Sequence, residues 1–556
     1  MIEFVNIASR LRVRAARHPD KLAVVKQRCG RAGRARYDSI SFGDLDQSSD
    51  WYANALERRG IVRAMRTVVM VKPGIEFFTV TFALFKLGSV VVLLDPGMGR
   101  MNLGRCIADA EPEAFVGIPL AHAARKLFGW GKRTVRTSVV VSRSGLLDAK
   151  RDVHSCELAD TVAEETAAIL FTSGSTGMPK GAVYTHGVFE AQVQCLHDHF
   201  GLGQGEDEVD LATFPLFALF DAGLGVTAVI PDMNASKPGR ADPRRLVAAM
   251  RDQRVTQMFG SPALVDNLGR HCEREQIKLP LRHVMTAGAP VRTDILERFA
   301  SVAPQATMVT PYGATEALPV AVIESRELLN ETRLATAQGA GICVGQPVPG
   351  LDVRIIGISD EPIVEWSDDF LSPPGEVGEI VVRGPLVTRE YYNRPEQTAL
   401  AKMRHADGGC WHRMGDVGYF DEQGRLWYCG RKSQRVVTEK ETLFTEQVEA
   451  IFNGIIFRTA LVGVGVHGVQ LPVVCCDNGV RHHGRQGITL CLRPWVETAM
   501  RLKSAAEATE LTRGIEVFLV YGDFPVDVRH NAKINREALA IWAAKRVGAR
   551  SVRNRC

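Results

Sequence analysis

The sequence predicts an α/β fold: a large N-terminal domain of layered α/β subdomains that ends in a β-rich subdomain, then a small, mobile α+β C-terminal domain. Three observations carry this. Short β-branched runs alternate with helix-period stretches through the first 350 residues, the texture of parallel strands covered by helices. From residue 351 to 428 the pattern changes to strands and turns. After Gly430 and Arg431 a last segment returns to mixed helices and strands, which divides the chain into 1–430 and 431–556.

Taken in order, Ile7, Leu11, Val13 and Ala16 recur at roughly helical spacing, without the continuous apolar stretch of a secretory leader. The runs 67–71, 90–94, 114–118, 139–141, 167–172, 257–260, 283–287 and 308–311 read as strands. Helical patterns lie between them at 73–87, 187–199, 243–252 and 293–302. The most apolar stretch, 77–94, is broken by Lys86 and Gly88 and reads as a buried helix running into a strand. No run reaches the ~18 uncharged apolar residues that span a bilayer. Within the β-rich part, 353–356, 378–383 and 425–429 are the clearest strands and suit an antiparallel or barrel-like subdomain. The basic tail, 545–556, reads as a fraying end.

Composition narrows the class. The 556 residues are 46% hydrophobic and 24% charged, with a net charge of +5. That excess is small and unclustered, which argues against a nucleic-acid partner. The 12 cysteines are scattered, with only Cys475 and Cys476 adjacent, and show neither a C-x-x-C nor a zinc spacing. Reduced thiols in a cytoplasmic protein are the expectation.

The sharpest local signal is FTSGSTGMPKG at 171–181, directly after an apolar strand. Gly174, Gly177 and Gly181 permit backbone paths that bulkier residues resist. Thr172, Ser173, Ser175 and Thr176 offer hydroxyls to a phosphate chain, and Lys180 offers a charge. Pro179 stands where a Walker A loop needs glycine, so this is a different phosphate loop. It resembles the pyrophosphate-handling loop of the superfamily of acyl- and aryl-CoA ligases, peptide-synthetase adenylation domains and luciferases.

Other motifs of that superfamily follow in order. Gly288, Ala289 and Pro290 resemble the segment whose backbone borders adenine. The stretch PYGATE at 311–316 resembles Y-G-x-T-E; the likeness implies that Tyr312 packs on adenine beside Gly313, that Thr315 bonds the α-phosphate and that Glu316 holds magnesium. A π-face suits a purine and a hard carboxylate suits Mg²⁺. Alone, Tyr312 reads equally as a core tyrosine and Glu316 as a helix N-terminal carboxylate. Residues 345–347 and 375–379 match connecting segments. In WHRMGD, 411–416, Asp416 matches the ribose-binding Asp, although Met414 replaces the usual Thr. Arg431 matches the hinge arginine. Lys533, in NAKI at 531–534, stands where the family carries its catalytic lysine, with Ala532 in place of glycine. The implied reaction is carboxylate attack on the α-phosphorus of Mg·ATP, with Glu316, Lys180 and Lys533 neutralising charge.

The acid's pocket is expected from FPLFALFD at 214–221 and FGSPA at 259–263, through Phe214, Phe217, Ala218, Phe220, Asp221, Gly260 and Ser261. These are mostly apolar, as a fatty chain requires. Ala218 replaces the histidine of typical acyl-CoA ligases, and Phe220-Asp221 matches, with a shift, the F-D of amino-acid-activating domains. After the hinge, Glu439 and Lys440 occupy a Gly-Gly pair that lies against the pantetheine channel in thioester-forming members. Glycines there allow close approach of a ligand, and two charged side chains obstruct it.

These departures, with 217–221, 310–316, 412–420 and 528–533, resemble one branch: the β-lactone synthetases of bacterial long-chain olefin biosynthesis. That likeness implies adenylation of a 2-alkyl-3-hydroxy fatty acid, then displacement of AMP by the tethered hydroxyl. The implied pathway partners are a thiolase-like condensing enzyme, a ketoreductase and a β-lactone decarboxylase. His186 and Asp221 are candidates to accept the hydroxyl proton, against a core or capping role for each. A long-chain acyl-CoA ligase and a non-catalytic nucleotide- or lipid-binding scaffold are the competing readings.

Overall fold

The computed structural model describes residues 4–30, 35–142, 154–172, 179–456, 458–477, 492–522, 524–525 and 534–553. One sheet of six strands runs in the order Thr137–Val140, Ala114–Gly117, Arg66–Met70, Val90–Leu93, Thr166–Thr172, Lys180–Thr185. The first five are parallel and the last is antiparallel. Helix Ile75–Lys86 packs between this sheet and strand Leu22–Cys29 of a second sheet, with most of its side chains buried. Burial on all sides explains why the stretch is apolar without periodicity. Its C-terminal Lys86 is fully buried and donates to Asp46 Oδ1 and Asp50 Oδ1, at 2.6 Å each. A buried cation persists only when paired in this way.

The second sheet holds fourteen described strands. Its parallel middle runs Thr307–Ala314, His283–Thr286, Gln257–Gly260, Val209–Ala212, Thr227–Ile230, Leu22–Cys29. Past Thr307–Ala314 it continues antiparallel through Ala317–Glu324, Ile342–Pro347, Leu426–Arg431, Cys410–Phe420, Gly378–Arg383 and Asp352–Ile356. The strand-and-turn region is therefore antiparallel and joined edge to edge with the α/β layers. The junction is Ile342–Pro347, a strand where sequence indicated a connecting segment. Gly345 has φ +83°, and a Cβ there would fall 2.0 Å from the Val322 carbonyl oxygen. Only glycine permits that approach.

The N-terminal helix spans Ala8–Arg17. Ile7 and Leu11 are buried as expected, but Val13 and Ala16 are exposed, and Ala8 and Ala15 complete the inner face. At 100° per residue, positions 8, 11 and 15 share a stripe that position 13 cannot join.

The C-terminal part of the chain forms a smaller α+β domain. Its three-stranded sheet is Arg458–Val464, Leu471–Asp477 and Val517–Tyr521. Helices Thr445–Asn453 and Leu492–Ala508 contribute Val448, Phe452 and Leu502 to a core with Leu461 and Val474.

Candidate functional site

The site is organised on the hairpin formed by Thr307–Ala314 and Ala317–Glu324, whose two-residue turn is Thr315-Glu316. Glu316 thus sits in a β-turn, and the alternative of a helix N-terminus falls away. The turn is tight: a Cβ on Gly313 would lie 2.6 Å from the Ala317 carbonyl oxygen. On the adjoining antiparallel strands, Asp416 and Arg431 are direct cross-strand partners. The Tyr312 hydroxyl donates to Asp416 Oδ2 at 2.7 Å, and Arg431 Nη1 lies 2.9 Å from Asp416 Oδ1. Three motif residues, Tyr312 lying more than a hundred positions before the other two, therefore meet through one buried carboxylate. Burial and the facing Asp416 push the Tyr312 phenol well above its ordinary value. The same carboxylate holds the Arg431 guanidinium strongly protonated.

Glu316 is fixed from the side. Tyr391 donates to its Oε1 at 2.5 Å, while Thr388 bonds its backbone carbonyl through N–H at 2.8 Å and Oγ1 at 3.2 Å. Lys180 Nζ lies 5.0 Å from the Tyr391 ring centroid, within cation–π range. Behind Thr388 sits the buried Lys402, whose Nζ donates to the Thr388 carbonyl. Burial pulls the Lys402 amine down to about 8, opposed by the charges of Cys410 and Glu316. Sequence reasoning did not find Tyr391, Thr388 or Lys402. They lie 72 to 86 positions from Glu316, and no local motif marks them.

Gly288, Ala289 and Pro290 follow strand His283–Thr286 at its carboxyl end, where open α/β sheets bind ligands. Gly288 has φ +97°. Phe214, Phe217, Ala218, Phe220 and Asp221 all line a cavity of about 90 Å³, which reaches Pro311 beside Tyr312. Phe217 packs on Phe214 and Phe259 at ring separations of 5.2 and 4.7 Å. Within FGSPA, Phe259 lines the cavity. Gly260 ends its strand, and the Ser261 hydroxyl caps helix Pro262–Arg274 by accepting the Leu264 N–H. His186 is buried, its Nδ1 accepts the Ile7 N–H, and burial lowers it to about 4. Thr172 and Lys180 face each other as a strand pair on either side of residues 173–179. Ser173, Gly174, Ser175, Thr176, Gly177 and Lys533 lie outside the described residues.

Among the described residues no group of three or more His, Cys, Asp or Glu side chains forms a metal site. One placed carboxylate such as Glu316 fits Mg²⁺, which binds through one or two carboxylates plus substrate phosphates and keeps its waters.

A placed acidic turn and a buried carboxylate paired with Tyr312 and Arg431, beside an apolar cavity, coincide with a family-level match. The model described as AMP-binding enzyme matches residues 11–392, more than half of the chain. The chain belongs to the AMP-binding enzyme family. As a member it is an ATP-using, adenylate-forming ligase. It is 49% identical to the olefin beta-lactone synthetase of Stenotrophomonas maltophilia, over 98% of this chain and 99% of that protein. It is 48% identical to the protein of the same name from Xanthomonas campestris, over 98% of each. Its fold matches that of the amide bond synthetase McbA from Marinactinospora thermotolerans, with a TM-score of 0.75 and 21% identity over 96% of this chain and 99% of that one. That fold match spans both the large mixed-sheet part and the small α+β part. No described helix is long and apolar enough to cross a membrane.

Proposed function

We propose that this AMP-binding enzyme adenylates a long-chain 2-alkyl-3-hydroxy acid and then closes it to a β-lactone, the acid's own hydroxyl displacing AMP. The observation that carries this reading is the end-to-end likeness to olefin beta-lactone synthetases, at nearly half identity. The apolar lining of the cavity supports a fatty substrate. The turn at 438–441 supports closure without a second substrate. There the exposed Glu439 and Lys440 form a self-bonded tip, with the Thr438 hydroxyl accepting the N–H of Lys440 at 3.2 Å and of Glu441 at 3.0 Å. A charged tip of this kind is a poor wall for a pantetheine channel. A tethered nucleophile needs no such channel, because its effective concentration is already high.

In this reading residues 1–430 bind ATP and acid, and 431–556 bring Lys533 to the reacting carboxylate. Tyr312 presents its ring to adenine beside the backbone of 288–290. Asp416 accepts the ribose hydroxyls, and Arg431 orients that carboxylate. Thr172 to Gly177 with Lys180 hold the departing pyrophosphate, and Thr315 bonds the α-phosphate. Glu316, braced by Tyr391 and Thr388, would hold magnesium, which supplies charge neutralisation of the triphosphate when bound. Lys533 stabilises charge as carboxylate and α-phosphate approach. A condensing enzyme and a ketoreductase would supply such an acid, and a decarboxylase would consume the lactone.

The test is product identification. The protein is incubated with Mg·ATP and a racemic 2-alkyl-3-hydroxy long-chain acid, with and without CoA, and products are read by NMR. A β-lactone with AMP in the absence of CoA is expected. Thioester formed only with CoA would replace this reading with an acyl-CoA ligase.

A further inference from the structure

The cavity beside Tyr312 is apolar in most of its lining, yet several polar side chains enter it. Asp210 and Gln257 are register partners on adjacent parallel strands, so they share one face of the sheet. Asp221 lines the same cavity from helix Ala218–Leu224. Gln192 enters from helix His186–Asp198 and donates its amide N–H to the Leu318 carbonyl at 3.0 Å, just past the Thr315-Glu316 turn.

Three atoms of this group have no hydrogen-bond partner among the described residues: Asp221 Oδ2, Gln192 Oε1 and Gln257 Oε1. Their residues are only 6%, 4% and 4% exposed. The Gln192 assignment follows from its bond to Leu318, which uses the nitrogen and leaves the oxygen. Each open atom is an acceptor. Leaving buried acceptors unpaired is costly, so the cavity is built for a ligand that donates hydrogen bonds. A saturated chain donates none, and an acid with a hydroxyl near its carboxyl end donates one.

Asp210 and Asp221 are hydrogen-bonded to each other, and burial together with their mutual repulsion raises the carboxyl pair well above the ordinary range. Two carboxyls at hydrogen-bond distance in an apolar wall share one proton and one negative charge. Such a pair is a stronger base than an exposed carboxylate.

Resting on the proposed lactone closure, we infer that Asp221 binds the substrate's 3-hydroxyl through Oδ2 and takes its proton as the ring closes, with Asp210 as its positioning partner. In that step the hydroxyl oxygen bonds to the acyl carbon and the bond from that carbon to the phosphate oxygen breaks. AMP leaves with the electron pair. The hydroxyl proton passes to Asp221 Oδ2 while the shared proton settles on Asp210, so the pair ends neutral with two protons. Gln192 Oε1 is the second acceptor and steers the hydroxyl-bearing carbon. The aromatic lining around Phe217 excludes water that would hydrolyse the acyl-AMP.

The full-length protein tests this as wild type, Asp221→Asn and Asp210→Asn, with Mg·ATP and the 2-alkyl-3-hydroxy acid. Pyrophosphate release and lactone are measured together, and acyl-AMP is trapped with hydroxylamine. In either variant the lactone formed per pyrophosphate released is expected to fall about 100-fold, the scale of a lost general base, and trapped acyl-AMP to rise. A variant without a cooperative thermal transition is set aside and the other one decides. Lactone per pyrophosphate equal to wild type in a folded variant overturns the assignment and leaves a polar floor that only holds water. Absence of lactone from the wild type, with pyrophosphate released, overturns the proposed function itself.

Discussion

The two halves of the site treat polar groups in opposite ways. Around Asp416 and Glu316 the charged and hydroxylic side chains are already joined: Tyr312 and Arg431 to one carboxylate, Tyr391 and Thr388 to the other residue. In the neighbouring cavity three buried acceptors wait without donors. ATP brings many charges of its own, and a preorganised cluster meets them without reorganising. The hydroxy acid of the proposed function would bring one hydroxyl, and a dry wall with open acceptors would select for it.

The contrast breaks most severely at Asp416. Asp416→Ala removes the shared partner of Tyr312 and Arg431 and leaves the half-buried Arg431 guanidinium with only the Met414 carbonyl among the described residues, at a cost of about 1–3 kcal/mol. A lowered thermal midpoint together with lost pyrophosphate exchange is expected; an unchanged midpoint would show that the pair is not a structural centre. Next is Lys533→Ala, which tests whether the paired cluster suffices alone. Acyl-AMP formation is expected to fall about 10²–10³-fold, with ATP binding measured by calorimetry largely kept. Unchanged ATP–pyrophosphate exchange would remove Lys533 from the chemistry.

Ala218→Phe acts on the cavity side only. The void is about 90 Å³, below the few hundred Å³ typical of ligand pockets, so long chains already require the phenylalanines to shift. A further ring should raise KM for the long acid about tenfold, more than 1 kcal/mol, and spare the KM for ATP. Equal changes in both would mean that the two halves are not separable.

The smallest effect is expected from Lys402. Its amine is pulled from 10.5 to about 8, so between those values the unfolded chain binds a proton that the folded one has released. Stability therefore rises with pH across that window. Lys402→Met should flatten the rise in urea titrations at pH 8 and above, and a slope identical to wild type would place the amine in water.

How much of this was legible depends on distance along the chain. Tyr312, Glu316, Asp416 and Arg431 stand in short motifs, because nucleotide chemistry demands those groups beside particular turns. The stretch 214–221 announced an apolar wall because its aromatic residues cluster in eight positions. Asp221 was already a candidate proton acceptor there, alongside His186, but its partner Asp210 and the acceptors Gln192 and Gln257 come from three other elements and gave no signal. Tyr391 and Lys402 were missed for the same reason. The N-terminal helix was placed correctly, but its inner face was misjudged at Val13 and Ala16. Which residues of an amphipathic helix turn inward depends on the surface against which it packs.

What the sequence determined by itself was the class of reaction and the alternation of elements. Phosphate binding, adenine stacking and charge neutralisation each need set residue types within a few positions of a turn, and strand–helix alternation is a local periodicity. What only the tertiary structure decided was the joining of the antiparallel strands to the α/β sheet through Gly345, the bracing of Glu316 by Tyr391 and Thr388, and the burial of the Asp210–Asp221 pair. Each of these depends on contacts between segments tens of residues apart or on different elements. Such contacts cost chain entropy to form, are stabilised by burial, and leave no repeating pattern in the sequence that could announce them.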